Sequence, residues 1–285
     1  MSTVIMGADV AAKLREEIGG DLKDLNGYVP HLAIVRVGAR EDDIAYEKGV
    51  LGKTDKLGLR CTVHTFAPDI SNEEFQSEFQ KINQDTDVDG ILVFRPLPKQ
   101  IDEKAVGLMI DVNKDVDCMS PLNLAKVFMN EKDAYAPCTA EAVMRTLDFA
   151  GVELKGKRVT VVGRSLVVGK PLSMMLLAKN ATVTMCHTKT VDFVGTCRNA
   201  EVLIAAAGHA GLIRKEHVTD GAAVIDVAIN VNEEGKLCGD VAFDEVSEVA
   251  GIITPVPRGV GSVTTLVLLK HLMRSAKRKF HMSEE

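Results

Sequence analysis

The sequence predicts an α/β protein with two domains built on parallel sheets. Short apolar, β-branched runs alternate with longer helical stretches along the chain. Its 285 residues are more than one hydrophobic core usually serves. Residues 159–171, VTVVGRSLVVGKP, carry a strand through a glycine turn into a helix.

The elements follow in order. Residues 8–23 read as a helix, and HLAIVR at 31–36 as a strand ending in a Val-Gly-Ala-Arg turn. Residues 42–57 read as a helix with Gly58 as its C-cap. A strand at 60–66, a helix at 72–84 and a buried strand GILVFR at 90–95 come next, and Pro96 and Pro98 end that strand. A short helix is expected at 101–110, and a domain boundary between Ser120 and Glu141. Thr139 is a plausible N-cap for the helix that follows. The second half reads as strand 158–163, helix 170–179, strands 182–186 and 201–206, a helix near 215–218, and strands 222–228 and 251–254. The last helix runs from Ser262 or Thr264 to about Lys279 and is expected to pack on the first domain. The domains are therefore expected at 1–138 plus 265–285 and at 139–264.

Composition narrows the function. Hydrophobic residues make up 46% and charged residues 26%, as in ordinary globular proteins. A net charge of -6 gives no reason to expect nucleic acid as a partner. The basic stretch 270–279 has the spacing of a solvated helix face. Neither a membrane span nor a presequence is apparent. The six cysteines are scattered without a CxxC pair, so reduced thiols and a cytoplasmic location are expected. Cys186 and His187 are adjacent, but two neighbouring ligands make no metal site, and none is expected.

The turn after strand 158–163 departs from GxGxxG. Counting from Gly163, the next two glycine positions hold Ser165 and Val168, and Gly169 follows. Such a turn exposes backbone N–H groups at a helix start, which suits a phosphate. Strand 182–186 runs into His187, Thr188 and Lys189, where an acidic residue would repel a ribose 2′-phosphate. Arg164 adds a guanidinium fork for that phosphate. NADP is therefore expected, held by Arg164, Thr188 and Lys189, with Ser165 and the amides near Gly169 at the pyrophosphate; the alternative is that Arg164 contacts the pyrophosphate and leaves NAD acceptable. Two further glycine turns follow strand ends: AAAGHAGLI, with Gly208 and Gly211, and TPVPRGVGSVT, with Gly259, Gly261 and Thr264. Either suits close approach of a flat ligand or a cofactor amide.

With these pieces in order, the chain resembles the methylenetetrahydrofolate dehydrogenase/cyclohydrolases. GRSLVVGKP, CHTKT, KDVD, YAPCT, GDVAFDEV and TPVPRGVGSVT carry the resemblance along nearly the whole chain. It implies two α/β domains flanking a folate cleft, the second Rossmann-like and nucleotide-binding. It also implies tetrahydrofolate one-carbon derivatives as substrates and a homodimer. Tyr46 matches the family tyrosine and Asp117 the aspartate expected to hold the pterin, with Cys118 in place of a glycine. Lys114 and Asp115 are read as structural. Pro257 and Gly259 fall in the family's proline-glycine turn, with Arg258 between them, and Ser262 stands where a proline is usual.

Two positions depart from the pattern. Val50 stands at the family lysine and Phe94 at the family glutamine. Hydride transfer from the folate bridge carbon needs placement above all. Hydrolysis of the resulting methenyl cation needs proton transfer, which neither Val nor Phe supplies. The expectation is a dehydrogenase whose cleft, lined by Tyr46, Val50, Phe94, Asp117, Pro257 and Gly259, has lost cyclohydrolase activity. Lys53 lies three positions past Val50 on the same helix face and is expected to be solvated. Three alternatives stay open. The first is a bifunctional enzyme in which Lys53 or a water network replaces the lysine. The second is an enzyme for a different one-carbon or pterin-like substrate. The third is a cofactor- or partner-binding homologue with a decayed site.

Overall fold

The computed structural model describes residues 2–282. The chain forms two compact units. One comprises Thr139–Thr264 with the residues before Leu14 and Val127–Lys132; the other comprises Leu14–Lys126, Asp133–Cys138 and the chain from Thr265 onward. Both are α/β with parallel sheets, as expected from the alternation of elements.

In the second of these units His31–Val37 is the central strand, paired in parallel with Arg60–Phe66 on one side and Gly90–Val93 on the other. All seven residues of the central strand are buried, His31 and Arg36 included, which fits its largely apolar character. Helix Glu41–Lys56 connects the first pair, and helix Asn72–Gln84 leads toward the third strand. Ser71 caps the latter by accepting from Glu74 N at 3.2 Å, and Phe75, Phe79 and Ile82 pack from it into the core beside Val35 and Ile91. The strand expected at 90–95 stops at Val93. Phe94 N still donates to Val35 O at 2.9 Å, but Pro96 has no N–H with which to extend the ladder.

The final helix, Thr264–Met282, anchors in this unit. The Ser275 hydroxyl lies within hydrogen-bond distance of two carbonyls, Asp89 O at 2.6 Å and Asn113 O at 2.7 Å, and its one proton serves either. Its cations are paired internally: Lys277 with Asp21 at 2.8 Å and Asp24 at 2.6 Å, and Lys279 with Asp89 at 3.0 Å. Helix Pro121–Phe128 was not expected from the sequence. Its signal is Ser120-Pro121, where the Ser hydroxyl accepts from Leu122 N at 3.2 Å and Pro occupies the first helical position.

The other unit carries a six-stranded parallel sheet. Its order is Thr3–Val4, Ile252–Ile253, Ala223–Asp226, Val202–Ala205, Arg158–Val162, Thr182–Cys186. The sheet is Rossmann-like, with Arg158–Val162 ending in the glycine turn and helix Gly169–Ala178 following it. Edge strand Thr3–Val4, helix Phe193–Arg198 and the hairpin Asn230–Val231 with Leu237–Cys238 are further elements the sequence reading did not include. The three two-residue strands are too short for a period-two pattern to register. Among the described residues no helix is long and apolar enough to cross a membrane.

Candidate functional site

At the end of strand Arg158–Val162 the chain turns through Gly163, whose φ of +128° disfavours any side chain. A Cβ there would lie 2.2 Å from Ala206 O, and one on Gly169 would lie 2.1 Å from Gly163 O. These two glycines let the turn close on itself and on the neighbouring loop. Ser165 Oγ accepts from Val168 N at 3.0 Å, just before helix Gly169–Ala178. Beside the turn lies a cavity of about 510 Å³, lined among others by Gly163, Arg164, Ser165, His187 and Thr188.

The CHTKT segment forms its second wall. His187 N donates to Thr190 Oγ1 at 2.9 Å, and His187 Nδ1 stands 3.1 Å from Lys189 N as its acceptor. That bond leaves the His187 proton on Nε2 in the neutral ring. Lys189, Gly208, Gly261 and Thr264 fall outside the cavity lining, and Gly169 shapes it through backbone contact with Gly163. The structure adds Thr190, Phe193, Ala207, His209 and Leu212. His209 and Leu212 lie within the glycine-bearing AAAGHAGLI turn, so the segment was legible although these side chains were not singled out. In the same unit Pro257 is exposed and Gly259 buried, and a Cβ on Gly259 would meet Pro255 O at 2.2 Å.

The second constellation belongs to the three-stranded unit. Helix Glu41–Lys56 places Tyr46, Val50 and Lys53 at i, i+4 and i+7, on one face. Val50 is fully buried. The Tyr46 ring lies 5.5 Å from the buried Phe94 ring, tilted by 47°. Burial pushes the Tyr46 phenol above its ordinary range; the Asp117 charge and then Cys138 push the same way, while a hydrogen bond from Thr265 opposes them. Tyr46 therefore keeps its proton and acts as a donor, and with 38% of its surface open its ring can also meet a flat ligand.

Asp117 is half-buried. Its Oδ1 accepts from Cys138 N at 3.3 Å, and Oδ2 lies 3.7 Å from the Arg95 guanidinium. Asp115 is fully enclosed and accepts from Met119 N at 2.7 Å, Ser120 N at 2.9 Å and Asn123 Nδ2 at 2.8 Å. Lys114 donates to Asn83 O at 2.8 Å and Asp85 O at 2.7 Å. Both hold the local chain together.

Lys53 differs from its expected solvated state. It is half-buried, and its ammonium donates to Thr265 Oγ1 at 3.0 Å. Burial lowers its pKa from the ordinary lysine value, and the positive charge of Arg15 lowers it further. This is the direction that makes an amine available as a base near neutral pH.

Two family models match the chain: tetrahydrofolate dehydrogenase/cyclohydrolase, catalytic domain, over residues 5–117, and the NAD(P)-binding domain of the same family over residues 137–280. A protein of Clostridium botulinum named "Bifunctional protein FolD" is 46% identical over 281 residues, covering 98% of this chain and 99% of its own. The crystal structure of the bifunctional FolD methylenetetrahydrofolate dehydrogenase/cyclohydrolase from Campylobacter jejuni superposes with a TM-score of 0.94 at 36% identity, covering 98% of this chain and 99% of its own. The Trypanosoma brucei methylenetetrahydrofolate dehydrogenase-cyclohydrolase, solved with NADP cofactor and inhibitor, gives a TM-score of 0.90 at 34% identity, covering 97% of this chain and 98% of its own. These likenesses correct the expectation of a dehydrogenase without cyclohydrolase activity. Relatives that match at this identity over essentially the whole chain are bifunctional, and the apolar residues Val50 and Phe94 do not outweigh them.

Proposed function

Because the chain belongs to the tetrahydrofolate dehydrogenase/cyclohydrolase family, we propose that it oxidises 5,10-methylenetetrahydrofolate with NADP and hydrolyses the methenyl product to 10-formyltetrahydrofolate. NADP supplies the hydride acceptor. The glycine cradle of Gly163 and Gly169, which side chains would fill, fits the phosphates of such a molecule. Arg164, Thr188 and Lys189 hold the 2′-phosphate, and Ser165 and the amides near Gly169 face the pyrophosphate. The unit of 139–264, with the residues before Leu14 and 127–132, serves the nucleotide, and the unit of 14–126, 133–138 and the chain from Thr265 onward serves the folate. The family resemblance also supports a homodimer, and the scattered cysteines without a CxxC pair support a cytoplasmic location.

In the folate unit Asp117 accepts hydrogen bonds from the pterin amino and ring nitrogens. Tyr46 lies against the folate and donates its phenol proton to the bridge region. As hydride leaves the methylene carbon, the bridge nitrogen lone pair stabilises the cation, so no protein base is needed. Hydrolysis does need one. Lys53, as the neutral amine, takes the proton of the attacking water, replacing the lysine that the family carries at the Val50 position. The apolar Val50 and Phe94 keep the surroundings dry, which favours the neutral amine.

The observation carrying this reading is the Lys53–Thr265 bond at 3.0 Å, which fixes a half-buried amine on the helix face that bears Tyr46. The test is direct hydrolysis of methenyltetrahydrofolate with and without the protein. A protein-dependent rate well above the spontaneous one is expected. A rate equal to the spontaneous one removes the second activity from the proposal.

A further inference from the structure

We propose that Asp240 is a positioning residue of the dinucleotide site, shaping from beneath the loop that forms one wall of the cavity. The inference rests on reading that cavity as the dinucleotide site. Asp240 comes from GDVAFDEV, a segment to which the proposed mechanism gives no role.

Asp240 is completely buried. Its carboxylate accepts four hydrogen bonds, two on each oxygen. Oδ2 takes Ala207 N at 2.6 Å and Gly208 N at 3.0 Å, while Oδ1 takes His209 N at 2.6 Å and Asn230 Nδ2 at 2.9 Å. Three consecutive backbone N–H groups converging on one anion form a nest, an arrangement more often seen around a bound phosphate. Here the chain's own carboxylate fills it. The loop is thereby committed to one conformation, with Gly208 at a φ of +69°.

That conformation matters because the same loop meets the cavity. Ala206, Ala207 and His209 line it, and Ala206 O sits where a side chain on Gly163 would collide. The phosphate turn and the Asp240 loop therefore share a close backbone contact. If the loop shifts by a fraction of an ångström, the cavity wall and the glycine turn shift with it.

Asp240 is itself held from below. Asp226, the last residue of strand Ala223–Asp226, accepts from Asp240 N at 3.1 Å and Val241 N at 2.9 Å, and its own N–H donates to Thr254 Oγ1 at 2.8 Å. Gly239 allows this approach, since a Cβ there would lie 1.8 Å from Asp226 Oδ2. The sheet thus fixes Asp226, Asp226 fixes the backbone at Asp240, and the Asp240 side chain fixes the loop.

A carboxylate alone suits the nest, because all four partners are donors. In Asp240→Asn an NH₂ group replaces one oxygen and faces two donors. The variant is expected to raise Kd and KM for NADP about tenfold or more, the size of one lost charge-assisted hydrogen bond. Its folate KM should stay within about twofold and its kcat within about threefold of the parent. A general loss of folding would not separate the two ligands in this way. A folded Asp240→Asn protein with unchanged NADP affinity, or with equal losses for both ligands, overturns the proposal. If Asp240→Asn does not fold, Asn230→Ala decides, since it removes one donor and leaves the three amides. A selective loss of NADP affinity of about threefold supports the proposal, and no selective loss overturns it. The parent protein is titrated with NADP first. Failure there would sink the reading of the cavity, whereas parent binding with indifferent variants sinks only the role of Asp240.

Discussion

The Lys53 ammonium donates to the Thr265 hydroxyl at 3.0 Å, joining residues 212 positions apart. Thr265 also counters the burial that raises the Tyr46 phenol, so one side chain bears on both polar groups of that helix face. Thr265→Val keeps the side-chain shape and removes that link. We expect methenyl hydrolysis to fall about three- to tenfold while hydride transfer changes less than twofold, because placement of the amine matters only for hydrolysis. Equal losses in both steps would assign Thr265 to folate binding instead.

Asp117 already has partners before any ligand arrives: Cys138 N at 3.3 Å and the Arg95 guanidinium at 3.7 Å. The first is a long hydrogen bond and the second an ion pair beyond hydrogen-bond distance, so both yield to better donors. Asp117→Asn should raise folate KM by about tenfold or more, since an amide accepts on one atom where the carboxylate accepts on two. NADP binding should be unaffected. Intact folate binding and turnover in this variant would rule out the pterin contact.

The cofactor assignment turns on Arg164 and Thr188, both lining the cavity, with Lys189 outside its lining. The value of kcat/KM should be higher with NADP than with NAD, and Arg164→Leu should narrow the difference by about tenfold. A parent enzyme that works better with NAD contradicts the assignment.

Asp226 makes stability depend on pH. Burial first, with the neighbouring Asp240 charge in support, pushes its carboxyl up to about 7 despite the backbone amides that oppose this. An unfolded aspartate titrates near 3.9. Between those values the folded chain keeps a proton that the unfolded chain has released, so stability falls as pH rises. The contribution is complete below about pH 4 and is lost as pH climbs through about 7, with a size on the order of a few kcal/mol. Thermal midpoints measured from pH 5 to 8 should show this slope in the parent and a flatter one in Asp226→Asn. An equally steep slope in the variant would place the titrating group elsewhere.

Much of the fold was legible because its long elements have clear periods. HLAIVR reads as a buried strand and becomes the centre of a sheet, and Phe75, Phe79 and Ile82 mark a helix face that packs as its spacing requires. Short elements were not legible, since the strands of hairpin 230–238 are too brief to carry a pattern. Lys53 shows the limit at the site. Its helix face follows from its distance to Val50, but its partner lies in another helix, and no local pattern couples them. Val50 and Phe94 are only two motif positions, and likeness to proteins named bifunctional over essentially the whole chain outweighs them. Asp240 is similar: its amide partners lie 31 to 33 residues away, so only the folded chain reveals the nest.

Lys53→Met, assayed directly on methenyltetrahydrofolate hydrolysis across pH, tests the central claim. Methionine keeps much of the packing and removes the amine. The parent rate should rise with pH as the amine loses its proton, along a limb below that of an ordinary lysine, because burial and Arg15 lower the Lys53 pKa. The variant should lose about a hundredfold of the protein-dependent rate, together with that limb, while oxidation of methylenetetrahydrofolate stays within about threefold. A variant that hydrolyses at the parent rate, with the same pH profile, would contradict the account.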